Sequence, residues 1–158
     1  MKNIFIALFI VALGLPYAFG QPLKKLPASL LTGVWNYKNG YYSYYNGSNK
    51  KLKQSKVTNL QNLNIEVTSE TDIKIIYPDR IFNTTYQLSV EQGKHFISLD
   101  LGNGLIKYQI IYINRKSVTL QSRHNINFYV DGDINKKAAY TIFTIHMVKD
   151  HEKALVSK

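Results

Sequence analysis

The side chains able to do acid–base or metal chemistry are sparse in this chain of 158 residues. His95, His124, His146 and His151 are scattered, and there is no cysteine to join them. A zinc site draws its nitrogen and sulfur ligands from closely spaced pairs, which this spacing does not offer. Asp131-Gly132-Asp133-Ile134-Asn135 copies the start of a calcium loop. Lys136 stands where such a loop needs a turning glycine, however, and Ile142 stands where a bidentate Glu would close it. A tight turn of the type I′ kind accounts for these residues better. No nucleophile elbow, phosphate loop or paired-carboxylate motif is present. The acidic residues fall mostly on turns or outward-facing positions. The chain therefore reads as a non-enzyme with no cofactor and no metal. A hydrolase or isomerase would require a buried titratable group that the pattern does not reveal.

Two other clusters offer binding chemistry instead. Tyr37, Tyr41, Tyr42, Tyr44 and Tyr45 crowd one segment, and Lys50, Lys51, Lys53 and Lys56 follow directly. On a regular strand Tyr42 and Tyr44 share one face, and Tyr41 and Tyr45 share the other. Such rings either pack across strands or form a contact surface, and beside an anionic membrane they would dock together with the lysines. The lysine stretch reads as a solvated loop, with a binding patch as its alternative. Twenty basic residues against ten acidic give a formal charge of +10. A field of that sign favours an anionic envelope surface or an acidic protein. Nucleic acid is disfavoured, because only Arg80, Arg115 and Arg123 could supply the guanidinium fork it usually meets.

The elements that must position these residues are strands. Segment 33–38, Asn39-Gly40 and segment 41–45 read as a hairpin, since Asn-Gly suits the two positive-φ positions of a type I′ turn. Leu63, Ile65 and Val67 alternate with polar residues, as do Ile73, Ile75 and Tyr77, which Pro78-Asp79 terminates. Tyr86, Leu88 and Val90 follow, then Ile97, Leu99 and Leu101. The longest apolar strand places Ile106, Tyr108, Ile110 and Tyr112 on one face. Val118 and Leu120, then Ile126, Phe128 and Val130, then Phe143, Ile145 and Met147 complete the series. Period two holds throughout, and no window carries the helical i, i+3, i+4 pattern. About eight strands with one apolar face must bury it against themselves. Short connections between neighbours favour a single antiparallel up-and-down β-barrel, which also removes unpaired edges.

The first 20 residues are set apart from this fold. Lys2 precedes an apolar run over residues 4–15, Pro16 breaks it, and Ala18 and Gly20 suit a cleavage site before Gln21. The run is shorter than the ~20 residues of a spanning helix. Residues 1–20 thus read as a signal peptide, 21–150 as the barrel domain and 151–158 as a frayed C-terminal tail. The mature chain has no transmembrane segment. The expected location is periplasmic or secreted, and a cysteine-free exported chain suits a bacterium. Asn46-Gly47-Ser48 and Asn83-Thr84-Thr85 would be glycosylation acceptors in a eukaryotic route.

Leu31-Thr32-Gly33-Val34-Trp35-Asn36 resembles the opening strand of the calycins, the group shared by lipocalins and avidins. The layout from Lys107-Tyr108-Gln109-Ile110 to Tyr140-Thr141-Ile142-Phe143 is similar to small bacterial lipocalin-like domains. The resemblance implies that Gly33 and Trp35 form a barrel-end motif in which Trp35 packs across the closed end. The arginine that lipocalins place over this tryptophan is missing, and Lys149 is the nearest basic residue. Their Thr-Asp-Tyr turn and long omega loop are absent too. Biotin binding is set aside, because avidin sites are walled by several tryptophans and Trp35 is the only one here. The implied function is an exported protein that carries a small apolar or amphipathic ligand. Its expected wall is Tyr86, Tyr108, Ile110, Tyr112 and Phe128. The alternative is a filled-core interaction protein that works through Tyr41, Tyr42, Tyr44, Tyr45 and the lysines.

Overall fold

The computed structural model describes residues 26–102 and 104–150. The segments read above as a leader (1–20) and a tail (151–158, with His151) lie outside the described residues. Nine strands follow one another: β1 (Gly33–Tyr45), β2 (Lys51–Lys56), β3 (Asn64–Val67), β4 (Asp72–Ile76), β5 (Ile81–Glu91), β6 (Lys94–Asp100), β7 (Leu105–Ile113), β8 (Ser117–Tyr129) and β9 (Lys137–Lys149). Every pairing is antiparallel. β3 to β9 pair in sequence, β1 pairs with both β3 and β9, and the sheet closes as an eight-stranded barrel with β2 as an extra strand. The alternating pattern and its implied all-β barrel are thus realised.

Alternation places Trp35, Val67, Ile73, Tyr86, Ile97 and Met147 inside, each no more than 3% exposed. Burial of such residues supplies the main force for closure. Before β1, a single 3-10 turn (Ala28–Leu30) folds across one end and buries Leu31.

Two local readings are corrected by the strand register. Asn39-Gly40 is no hairpin turn but lies inside the continuous β1. A bulge between Tyr37 and Asn39 admits Lys38 as an extra residue. Gly40 is required there by close approach: a Cβ would stand 2.9 Å from the Thr144 carbonyl oxygen and 3.3 Å from the Tyr37 hydroxyl. The lysine stretch is not a loop either. Residues 51–56 form β2, which pairs with the second half of β1 through Tyr41↔Lys56 to Tyr45↔Lys51. The first half of β1 pairs with β3 instead. β2 therefore has no second neighbour in the sheet, and lysine on such an edge discourages pairing with another chain.

Bulges also explain two wall residues that leave the interior. The register shifts between Ile110 and Tyr112, so the inward set passes from Ile110 to Ile113. Tyr112 is consequently 52% exposed. A second shift between Asn125 and Phe128 resets β8 where it has run past its pairing with β7. Phe128 ends 43% exposed, edge-on to Tyr44. Strict period two could not foresee either, because one inserted residue inverts the parity of all that follow.

Candidate functional site

The two ends of the barrel differ. At one end the Trp35 indole N–H donates to the Leu31 carbonyl at 2.6 Å, closing the 3-10 turn over the interior. The Lys149 ammonium lies 5.1 Å from the centre of the indole ring, its cross-strand partner being Trp35. Gly33 makes room: its φ is +120°, and a Cβ there would lie 2.7 Å from Lys149 Cε. Lys149 thus takes the place expected of a basic residue over this tryptophan. Burial lowers its pKa from the ordinary lysine value. The remaining void beneath Trp35 measures only about 30 Å³ and is wholly apolar.

At the opposite end the interior opens into a cavity of about 230 Å³. Its floor is Leu99, Leu120 and Ile145, and its upper wall carries Tyr42, Tyr77, Tyr108 and Phe143. Tyr42 packs on Phe143 at 5.0 Å between centroids, and Tyr108 meets the same ring edge-on at 6.5 Å. The segment between β2 and β3 folds across part of the mouth and contributes Leu60 and Leu63. It is tied down by the Val57 N–H to the Gly40 carbonyl at 2.9 Å, and by the Tyr37 hydroxyl to the Val57 carbonyl at 2.8 Å.

Among the described residues no charged side chain lines this cavity. Arg80 stands at its rim, exposed, with its guanidinium 5.2 Å from both the Tyr77 and Phe82 rings. The Tyr108 phenol is held protonated: burial first, then the neighbouring Tyr77 and Tyr42 phenols, push its pKa up to about 12. Among the described residues the hydroxyls of Tyr42, Tyr77 and Tyr108 bond to no protein group. Three other tyrosines are tied down. Tyr37 bonds Val57, Tyr86 bonds the Ser69 carbonyl at 3.0 Å, and Tyr140 bonds the Asn49 side chain at 2.9 Å.

Of the expected wall residues, Tyr108 lines the cavity and Ile110 is buried in the core. Tyr86 is only 1% exposed, but it fills the barrel, with its hydroxyl spent on Ser69. Tyr112 and Phe128 are outside, as described above. Tyr42, Tyr77 and Phe143 were not among them. Tyr77 continues the Ile73–Ile75 alternation and was legible. Tyr42 was hidden by the hairpin reading of Asn39-Gly40.

The Tyr and Lys surface resolves into packed rings and an edge. Tyr41 meets His146, Tyr44 meets Phe128, and Tyr45 stacks on Tyr140 at 5.0 Å. Arg123 covers the other face of Tyr140 at 3.7 Å. Lys53 pairs with Asp131, and Lys50, Lys51 and Lys56 are exposed. Asp133 accepts the Asn135 N–H and pairs with Lys136, which lower its pKa in that order. These carboxylates serve a turn in which Asp131 and Gly132 both take positive φ. His124 bonds Ser122 and His146 bonds Thr119, each at 2.8 Å. Among the described residues no cluster of three metal-ligating side chains occurs, and no helix is long and apolar enough to cross a membrane. One buried side-chain oxygen among them lacks a partner, Thr141 Oγ1, beyond Phe143 on β9.

Compared with known protein families, characterised proteins and solved structures, the chain matches none, so its geometry alone carries the functional reading.

Proposed function

We propose that this protein is an exported, calycin-like carrier that holds a small apolar or amphipathic molecule at the open end of its barrel. The observation that carries the reading is the contrast between a sealed end and a 230 Å³ aromatic cavity at the other. An apolar void of about 150 Å³ suffices for benzene, whereas drug-sized ligands occupy roughly 300–1,000 Å³. A ligand of one ring or a short chain is therefore the expected size. Export rests on the leader over residues 1–20, and kinship with the calycins rests on Gly33, Trp35 and the meander. The alternative, docking through Tyr41, Tyr42, Tyr44 and Tyr45, has less support, because each of those rings already packs on an aromatic or histidine ring of the barrel.

Native mass spectrometry of protein purified from its own compartment, followed by solvent extraction, tests the reading. A stoichiometric small molecule is the expected result. A bare mass, together with no uptake of small aromatic probes that quench tyrosine fluorescence, would turn attention to the lysine edge.

A further inference from the structure

The cavity also limits the chemistry of what it holds. Its walls are hydrocarbon and aromatic rings, and its polar side-chain atoms are the hydroxyls of Tyr42, Tyr77 and Tyr108. These phenols reach solvent at the mouth, Tyr42 being 38% exposed, so a ligand there would exchange water on them for its own acceptor. Among the described residues four other tyrosine hydroxyls donate to a protein group, those of Tyr37, Tyr41, Tyr86 and Tyr140, whereas those of Tyr44, Tyr45 and Tyr129, outside the cavity lining, do not. The three in the cavity have none among the described residues. Neutral phenols act as donors toward a carbonyl or ether oxygen. Raised as it is by burial, the Tyr108 phenol stays a donor across the physiological range.

An ionised ligand would meet a different balance. A carboxylate inside would lose its water with no cation in the lining to replace it, and an ammonium would find no carboxylate. Arg80, the charged group at the mouth, sits outside on the rim and is engaged with two rings.

We infer that the ligand is an uncharged molecule with an apolar body and a hydrogen-bond acceptor, such as a ketone, ester or lactone oxygen, which the phenols of Tyr108, Tyr77 and Tyr42 grip at the mouth. The inference rests on the carrier reading and adds to it the class of cargo.

The test uses one ring in four forms: cyclohexanone, cyclohexane, cyclohexylammonium and cyclohexanecarboxylate. Binding to the mature protein is followed through the NMR signals of the Tyr and Phe143 rings. Cyclohexanone should bind best. Tyr108→Phe should weaken it about tenfold, the worth of one donor, and leave cyclohexane unchanged. Tyr77→Phe should act the same way, more weakly because Tyr77 is nearer the rim. Both ions should bind at least about a hundredfold more weakly than the ketone, since each would be buried unpaired.

Three results separate the outcomes. If ketone and hydrocarbon bind equally and Tyr108→Phe changes neither, the acceptor inference fails while the carrier reading stands. If the carboxylate binds as well as the ketone, Arg80 reads the ligand and the inference is again overturned. If none of the four moves a cavity signal, the carrier reading fails and takes the inference with it.

Discussion

At the sealed end of the barrel the polar atoms that enter the interior are accounted for. Trp35 Nε1 reaches the Leu31 carbonyl, and the Lys149 ammonium faces the indole ring. At the open end the same strands present three phenols to a void and give them nothing to hold. Both regions are aromatic, and both lie within one closed sheet. Packing alone does not distinguish them, because a core closes its voids and satisfies its polar groups wherever function does not prevent it. On the proposed carrier reading, the difference separates the end that stabilises the fold from the end that would bind.

Substitutions at the two ends should therefore separate stability from uptake. The largest effect is expected from Trp35→Ala, which removes the biggest side chain of the sealed end. Truncating a buried aromatic costs about 3–5 kcal/mol, read as a lower denaturant midpoint. Tyr108→Phe deletes only a hydroxyl that bonds no protein group, and should change stability by less than about 0.5 kcal/mol. If the two variants lost similar stability, the division between the ends would be wrong.

Gly33→Ala comes next, at roughly 1–3 kcal/mol, because alanine is strained at a φ of +120°. Its Cβ also collides with Lys149 Cε. Adding Lys149→Ala should recover the collision but not the backbone strain, so the double variant should be more stable than the sum of the single losses. Full additivity in the melting data would mean that Gly33 serves the backbone alone.

A third effect appears only in alkali. The Tyr108 phenol titrates near 10 when unfolded and at about 12 when folded. Below the first value both states keep the proton, and the contribution of the group is fully present. As pH rises from the first value through the second, the unfolded chain releases the proton more readily, and stability falls. Tyr37 and Tyr86 are shifted the same way, each by burial first. The part owed to Tyr108 is the difference between the protein and Tyr108→Phe: over that window the protein should lose stability relative to the variant, which has no phenol there to titrate.

How far the sequence disclosed these features follows from what breaks a pattern of two. Strand positions, the closed barrel and the Trp35 end were legible because alternation and the Gly-x-Trp segment are local signals. Ile73, Ile75 and Tyr77 show the alternation carrying as far as the cavity wall. Lys38, Ile111 and the stretch before Phe128 show where it fails: a bulge has no composition of its own, yet it moves each later residue to the opposite face. Asn39-Gly40 misled for a related reason. The glycine answers to the Thr144 carbonyl, a neighbour on the last strand of the chain, and not to a turn. The cavity is lined from β1, β3, β4, β6, β7, β8 and β9, and only register brings their lining residues together.

The smallest effects should come from the lysine edge, and they bear on whether a third region shares the binding. Lys53 and Asp131 are both substantially exposed, so their pair contributes no more than about 1 kcal/mol. Lys51 stands exposed at the far end of β2, with only a weak contact to Gln54 at 3.4 Å. Lys51→Glu with Lys53→Glu exchanges two positive charges for negative ones on a strand that has no second neighbour. The carboxylate introduced at position 53 would face Asp131, and the like charges should cost less than about 1 kcal/mol in water. No residue of β2 lines the cavity, so cyclohexanone uptake should be unchanged. Sedimentation with vesicles of anionic phospholipid gives the opposing readout. If β2 only guards an edge, any association will be weak, and the double reversal will alter it no more than its change in net charge implies. If the reversal abolishes a strong, salt-sensitive association, the edge is itself a docking surface, and the barrel would take up or release its cargo against an anionic membrane.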